Sequence, residues 1–383
     1  MNLFRSPLIT RSLLWLACLA APLARAALPV PPPPPIAAKA YIVTDFQTGT
    51  MLASVDPDKR IEPASLTKLM TAYLSFQAVK EGRLKLDQML TVSEKAWKAE
   101  GSRMFIKPNS QVKVDDLIHG MIIQSGNDSS ITLAEGIAGS EEVFANMMNQ
   151  TAQKLGMKST HFMNSTGLPD PQHYTTARDL SLLASAIIRD YPQFFPIYSM
   201  KEFSYNNIKQ PNRNLLLWRD PNVDGMKTGH TESAGYCLVS TMKRDGRRVI
   251  SVLVGASSDT VRATESLKLL NYGIQFFATP KLYSKGQVLQ QVKVWKGEQE
   301  QVSVGMPQDL YINLPRGAEK RLKAQLVTQQ PLTAPIASGQ VVGKLMLSLD
   351  GQAMGTYPVA AMKAVPEAGV FGRMWDSMKL WFE

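Results

Sequence analysis

The sequence predicts an α+β fold: an antiparallel sheet assembled from both ends of one domain with helices inserted between them, then a small all-β domain and a terminal amphipathic helix. Three observations carry this expectation. Two strand pairs, 40–54 and 236–256, lie far apart in the chain around the turns Gln47-Thr48-Gly49 and Arg244-Asp245-Gly246. Between them, from Val114 to Ile188, apolar residues recur at helical spacing. Beyond Pro280 the period changes to two.

Residues 1–26 carry Arg5 and Arg11, an apolar run from Leu13 to Ala21, and the small-x-small exit Ala24-Arg25-Ala26. This is the layout of a secretory signal, with the mature chain starting near Ala27. The run is shorter than the ~20 residues a membrane span needs. Removing the segment takes three arginines and lowers the net charge from +10 to +7. The chain has no Lys/Arg block or basic-aromatic interleaving, so no nucleic-acid partner is expected; the charge suits anionic envelope polymers or head groups. Cys237 is the one cysteine left in the mature chain and cannot form an internal disulfide.

Residues 27–35, with Pro29 and Pro31 to Pro35, read as an extended linker. The first domain, 36–280, opens with strands at Ala40–Asp45 and Met51–Ser54. A helix follows with Leu66, Leu69, Met70, Tyr73 and Leu74 on one face and Gly82 at its end. Val114 to Gln124 is a second helix. Ser140 caps another, and Thr176 with Asp179 forms a capping-box pattern ahead of the next. Tyr236–Lys243 and Arg247–Ala256 are hairpin strands, and Val261–Phe277 is helical. Residues 281–366 alternate as a β-rich domain through Val288, Val292, Val294, Val302, Val304, Leu345, Leu347 and Leu349. In 367–383, Val370, Phe371, Met374, Trp375, Met378, Trp381 and Phe382 share helical spacing with Arg373 and Lys379 opposite, the pattern of a helix lying on a membrane surface.

Three short motifs follow one another: Ser65-Leu66-Thr67-Lys68, Ser125-Gly126-Asn127 and Lys227-Thr228-Gly229. A serine hydroxyl is a weak nucleophile until a base reaches it. Ser65 opens a helix, so Lys68 lies one turn on and on the same face. Ser110/Lys113 and Ser240/Lys243 have the same spacing, but the first lies in a turn and the second on a strand, where residues three apart face opposite sides. Lys68 acts as a base only when neutral, which burial and a nearby cation favour; Lys227 is the candidate cation. Ser125 is a candidate proton relay and Asn127 a group that orders the lysine and the substrate amide. Lys227-Thr228-Gly229 suits an edge strand against which a peptide pairs. The amides of Ser65 and His230 are the expected oxyanion donors. Thr228 and Arg262 are candidates to hold a terminal carboxylate, although an exposed position is the default for a helix arginine. The four histidines show no metal-ligand spacing, and no metal or cofactor is called for.

The ordered set, with Pro63-Ala64-Ser65-Leu66-Thr67-Lys68, Ser125-Gly126-Asn127-Asp128 and Asp224-Gly225-Met226-Lys227-Thr228-Gly229-His230-Thr231, closely resembles the low-molecular-mass penicillin-binding proteins, the secreted serine-type D-alanyl-D-alanine carboxypeptidases of the peptidase S11 type. Asn212-Arg213-Asn214-Leu215-Leu216, the β-rich region and the aromatic terminal helix also resemble that family. The resemblance implies a serine β-lactamase/penicillin-binding-protein transpeptidase-like domain, a β-rich stalk, and a helix anchoring the enzyme to the periplasmic face of the inner membrane. It implies a peptidoglycan pentapeptide stem as substrate, cleaved through a Ser65 acyl-enzyme, with β-lactam antibiotics acylating the same serine. A class A β-lactamase shares the fold but places a Glu-x-x-Leu-Asn motif between the second and third elements; none occurs between Asn127 and Lys227. The other competitor is a non-catalytic scaffold, against which the intact Ser65, Lys68, Ser125 and Lys227 argue.

Overall fold

A computed structural model describes residues 30–381. The signal segment 1–26, and Phe382 and Glu383 of the terminal helix, lie outside the described residues.

Ala40–Asp45 (β1) and Met51–Val55 (β2) form the first hairpin. The 3-10 turn Ala64–Thr67 leads into α1 (Lys68–Lys80), followed by α2 (Val114–His119), α3 (Asn127–Ala138), α4 (Glu141–Lys154) and α5 (Ala177–Asp190). Ser140 and Thr176 cap α4 and α5, accepting from the Val143 and Asp179 amides at 3.2 and 3.1 Å. The Asp179 carboxylate turns away from the expected capping box, to Ser159 N–H (2.8 Å) and Thr160 Oγ1 (2.7 Å), and so pins the preceding loop.

The chain then forms β3 (Val223–Thr231), β4 (Gly235–Arg244), β5 (Arg247–Ala256) and α6 (Asp259–Phe276). The sheet order is β2-β1-β5-β4-β3, antiparallel throughout. The two hairpins thus zip together through β1 and β5, and β3 is left as an edge. Asp245 and Gly246 both have positive φ, 51° and 76°, as a two-residue hairpin turn requires.

Alternate residues of β5 feed two layers. Ile250 and Val252 face the helical layer, where α5 lies against the strand, while Val249 and Leu253 face Leu270 and Leu269 of α6. Helix α1 departs from the one-faced helix of the sequence reading. It is buried on nearly every side, with Leu69, Met70, Leu74 and Phe76 packed among Ile122, Leu133 and Leu180. Each such side chain contributes about 1.5–3 kcal/mol of burial. Polar positions on α1 survive by bonding: Thr71 Oγ1 donates to the Ser165 carbonyl (2.7 Å) and Ser75 Oγ to the Thr71 carbonyl (2.8 Å). The described part of the proline segment is laid on α6, where Tyr272 Oη donates to the Pro31 carbonyl at 3.0 Å.

The C-terminal sheet contains β6 (Val288–Lys293), β7 (Gln301–Gly305), β8 (Leu322–Thr328), β9 (Val341–Leu349) and β10 (Gln352–Ala361), in the order β6-β7-β10-β9-β8. Val292, Val304, Leu345, Leu347 and Val359 form its core. Helix α7 (Val370–Leu380) is tethered to it by the Lys296 amide, which donates to Asp376 at 2.7 Å. Phe371 and Trp381 remain 88% and 87% exposed. Among the described residues no helix is long and apolar enough to cross a membrane.

The end of the first domain is organised around Asp45, which is 0% exposed. One oxygen accepts from the amides of Gln47 and Thr48 in the first turn; the other accepts from Arg247 Nε (3.0 Å) and Thr279 Oγ1 (2.6 Å). Arg247 in turn donates to the carbonyls of Gly273 and Phe277, and Arg316 caps the same helix end at Ile274 and Gln275. Removing one partner of a buried pair strands the other, so Asp45→Ala is expected to cost about 3–5 kcal/mol. Denaturant unfolding checks this, and a loss below about 1 kcal/mol contradicts the assigned role of Asp45.

Candidate active site

Ser65 stands half-buried in the turn ahead of α1, where Ala64 is held at φ 49°. Lys68 is 1% exposed and its Nζ lies 3.1 Å from Ser65 Oγ. The same amine donates to the Thr166 carbonyl at 2.5 Å. The turn therefore presents a hydroxyl whose neighbour is an amine with almost no water around it.

The second hydroxyl comes from the opposite wall. Helix α2 runs into a π turn, Gly120–Gln124, and unwinds at Ser125, which is left-handed at φ 70° and ψ 31°. That conformation costs a non-glycine residue about 1–3 kcal/mol and persists only where the surroundings fix it. Here they do: Ser125 Oγ is 3.0 Å from Lys227 Nζ, which also donates to the Thr228 carbonyl at 3.0 Å. Gly126 admits the next turn because a Cβ there would lie 2.9 Å from Ser129 Oγ. Asn127 departs from the expected contact with the lysine. Its amide donates to the Ser102 carbonyl (2.7 Å) and its Nδ2 to the Glu100 carbonyl (2.5 Å), while Oδ1 is buried without a protein partner. Asp128 completes the clamp on this loop by accepting from the Met104 and Phe105 amides, both at 2.9 Å.

Lys227, Thr228 and Gly229 lie along edge strand β3. A Cβ on Gly229 would come within 3.1 Å of Leu66 Cγ and 3.3 Å of the Leu66 nitrogen, so glycine is what allows the strand to pass against the Ser65 turn. Ser65, Ser125, Arg213, Thr228, His230 and Arg262 line one cavity of about 590 Å³. The His230 ring is exposed and lies on Tyr236, 4.1 Å between centroids, so its main chain is what faces the Ser65 turn. Arg262 is 6% exposed rather than displayed on the helix surface, and its Nη1 lies 3.5 Å from the Gly229 carbonyl.

Burial lowers Lys68 to about 7, helped by the Arg213 guanidinium and opposed by the carboxylates of Asp128 and Glu141. Arg213 is thus a second cation acting on Lys68, beside the expected Lys227, whose coupling to Lys68 is mutual. Lys227 is itself pushed well below its ordinary value, first by burial and then by Lys68, Arg213 and Arg262. Protons on the two amines disfavour each other, and at neutral pH a substantial share of the molecules carries a neutral amine beside Ser65.

A hydroxyl beside a neutral lysine, a second hydroxyl-lysine pair across the cavity and a cationic far wall are equipment for acyl transfer. Comparison with known proteins decides which kind. The family described as D-alanyl-D-alanine carboxypeptidase matches residues 28–258, and the C-terminal domain of penicillin-binding protein 5 matches residues 277–367. The chain belongs to the S11 D-alanyl-D-alanine carboxypeptidase family. It is 43% identical over 370 residues to the D-alanyl-D-alanine carboxypeptidase DacC of Escherichia coli K12, covering 94% of this chain and 92% of that one. The solved structure of penicillin binding protein 5 from Haemophilus influenzae superposes with a TM-score of 0.85 at 41% identity, covering 88% of this chain and 99% of that one. Penicillin-binding protein D2 of Listeria monocytogenes in its ampicillin-bound form superposes with a TM-score of 0.59 at 32% identity, covering 64% and 100%.

Membership gives this carboxypeptidase its fold class, a transpeptidase-like domain followed by an all-β domain. Two contributions at the site escape a motif reading. Thr166 acts through a main-chain carbonyl, which no side-chain pattern reveals. Arg213 carried a signal, since its stretch resembled the family, but its charge on Lys68 depends on folding. Among the described residues Asp259 is the only carboxylate lining the cavity, and it already accepts from the Thr260 amide at 2.7 Å.

The lowered Lys68 fixes the sign of a pH dependence. Below about 7 the proton returns to the Lys68/Lys227 pair, and the rate at which Ser65 is acylated is expected to fall. The fall approaches roughly tenfold per pH unit. A stopped-flow pH profile checks this, and a rate constant that stays flat well below that pH contradicts it.

Proposed function

We propose that this carboxypeptidase removes the terminal D-alanine from peptidoglycan pentapeptide stems through an acyl-enzyme on Ser65. The observation that carries the reading is Lys68 Nζ, 3.1 Å from Ser65 Oγ and lowered to about 7. In this reading Lys68 takes the Ser65 proton as Oγ attacks the penultimate D-alanyl carbonyl. The oxyanion forms against the amides of Ser65 and His230, the first at the head of a helical turn. Ser125, supplied by Lys227, gives the departing D-alanine nitrogen its proton. Asn127 orders the substrate amide in this reading, from a loop that its Nδ2 fixes to the Glu100 carbonyl. The stem pairs with β3 along Lys227-Thr228-Gly229, and Thr228 and Arg262 hold the terminal carboxylate. Water then hydrolyses the ester. No metal or cofactor takes part in this sequence.

β-Lactams acylate the same serine, in line with the ampicillin-bound relative. Release is expected to be slow, because the Glu-x-x-Leu-Asn motif with which class A β-lactamases activate the deacylating water does not occur between Asn127 and Lys227. With a defined pentapeptide, the protein is expected to yield tetrapeptide and one D-alanine, and Ser65→Ala to lose the activity by at least about 10³-fold. Release of D-alanine by the Ser65→Ala protein at more than a few per cent of the original rate sinks the acyl-enzyme reading.

The same reading places the enzyme outside the cytoplasmic membrane: a signal peptide in 1–26, a linker in 27–35, a catalytic domain in 36–280, a β-rich domain in 281–366 and a peripheral anchor in 367–383. The exposed Phe371, Met374 and Trp381 support the last assignment. Deleting 367–383 is expected to move the protein from the membrane fraction to the soluble periplasmic fraction. Unchanged membrane association after the deletion rejects the anchor.

A further inference from the structure

Glu141 and Glu142 open α4 side by side, and a helix N-terminus asks of either only that it carry negative charge near the first turn. Glu142 does this from solvent, with its side chain 75% exposed. Glu141 is different: it is 8% exposed and turned inward. Burying a carboxylate is costly unless it is paired and bonded, so its seat has to be filled by partners. They are the Ser165 amide at 3.0 Å, Ser165 Oγ at 2.6 Å, and Lys95 Nζ at 3.0 Å on the outer side.

Ser165 lies immediately before the residue whose carbonyl receives Lys68. Its own carbonyl accepts from Thr71 Oγ1 at 2.7 Å, one turn along α1 from Lys68. On the other side of Thr166, Gly167 is left-handed at φ 87°, and a Cβ there would lie 1.7 Å from the Ala64 carbonyl, so the loop is seated directly on the Ser65 turn. Asn164 Oδ1 closes the loop from within, accepting from the amides of Thr166 (3.2 Å) and Gly167 (2.7 Å). Glu141 and Thr71 thus hold Ser165 from two helices, Glu141 at its amide and hydroxyl and Thr71 at its carbonyl.

We propose that Glu141 is a positioning residue: by fixing Ser165 it sets the Thr166 carbonyl against Lys68 Nζ and so holds that amine facing Ser65 Oγ. The inference rests on the acyl-enzyme reading of Ser65. The carboxylate also acts on Lys68 by its charge. The groups around Lys68 are Lys227 on β3, Arg213 ahead of Leu216, Asp128 on α3, Glu141 on α4 and His173 ahead of α5. Burial holds His173 down at about 4, so it is neutral where the enzyme works. Asp128 and Glu141 are thus the two negative charges favouring a proton on Lys68, and removing one must move that proton's loss to lower pH.

The test is the rate of acylation by a fluorescent penicillin, followed by stopped flow across pH on the full mature chain. Glu141→Ala frees the loop and is expected to slow acylation by at least about tenfold, while labelling still goes to completion because Ser65 is intact. Glu141→Gln keeps an acceptor for Ser165 and is expected to restore most of the rate, with the acid limb displaced to lower pH. Glu142→Gln is expected to do neither. Acylation of Glu141→Ala at the original rate overturns the proposal, as does a Glu141→Gln acid limb in its original place. If Glu141→Ala does not fold, the limb of Glu141→Gln decides alone. An unsubstituted protein that takes up no label condemns the acyl-enzyme reading instead, so the two failures are distinguishable.

Discussion

A lysine amine denied water will not keep its proton at neutral pH unless something replaces the water, and much of this molecule is arranged around leaving that replacement incomplete. Lys68 has one carbonyl, one hydroxyl and almost no solvent. Two acceptors do not solvate an ammonium group, and Arg213 adds an unfavourable charge. The amine is neutral because of where it is buried, and it faces Ser65 because the Thr166 carbonyl leaves it that direction.

The fold supplies each part of this from a different place. Helix α1 must be central for Lys68 to be dry, which is why its polar residues Thr71 and Ser75 bond to carbonyls rather than to water. The edge strand β3 must pass close enough for Lys227 to reach Ser125, and Gly229 makes the room. The sheet that carries β3 is pinned at its other end by Asp45 and Arg247, where the second domain begins. Ala64 and Ser125, the residues that aim the two hydroxyl walls, are both held at positive φ, 49° and 70°.

Much of this was legible in the sequence, and the pattern of what was not is physical. Ser65 and Lys68 are three residues apart, so helical geometry alone brings them together. Asp245-Gly246 has few conformations open to it, and the hairpin followed. The caps at Ser140 and Thr176 are local and were readable, whereas the destination of Asp179 was set by a loop some 20 residues away. The contacts that govern Lys68 are long-range. Thr166 is 98 residues distant and acts through its main chain, and Glu141 resembled its neighbour Glu142 until folding buried one and exposed the other. Lys227 is coupled to Lys68 as the motifs suggest, while Arg213, the other cation that Lys68 feels, belongs to none of the three motifs. Arg262 was a carboxylate candidate against the default of an exposed helix arginine, and the close approach of β3 and α6 put it in the cavity.

The most direct test of this account is to observe the Lys68 ammonium itself by heteronuclear NMR of lysine-labelled protein, assigned by comparison with Lys68→Arg. The account expects its resonances to titrate near pH 7, while surface lysines titrate at about 10.4. A Lys68 that remains charged up to the range of the surface lysines would contradict it, because Ser65 would then have no base.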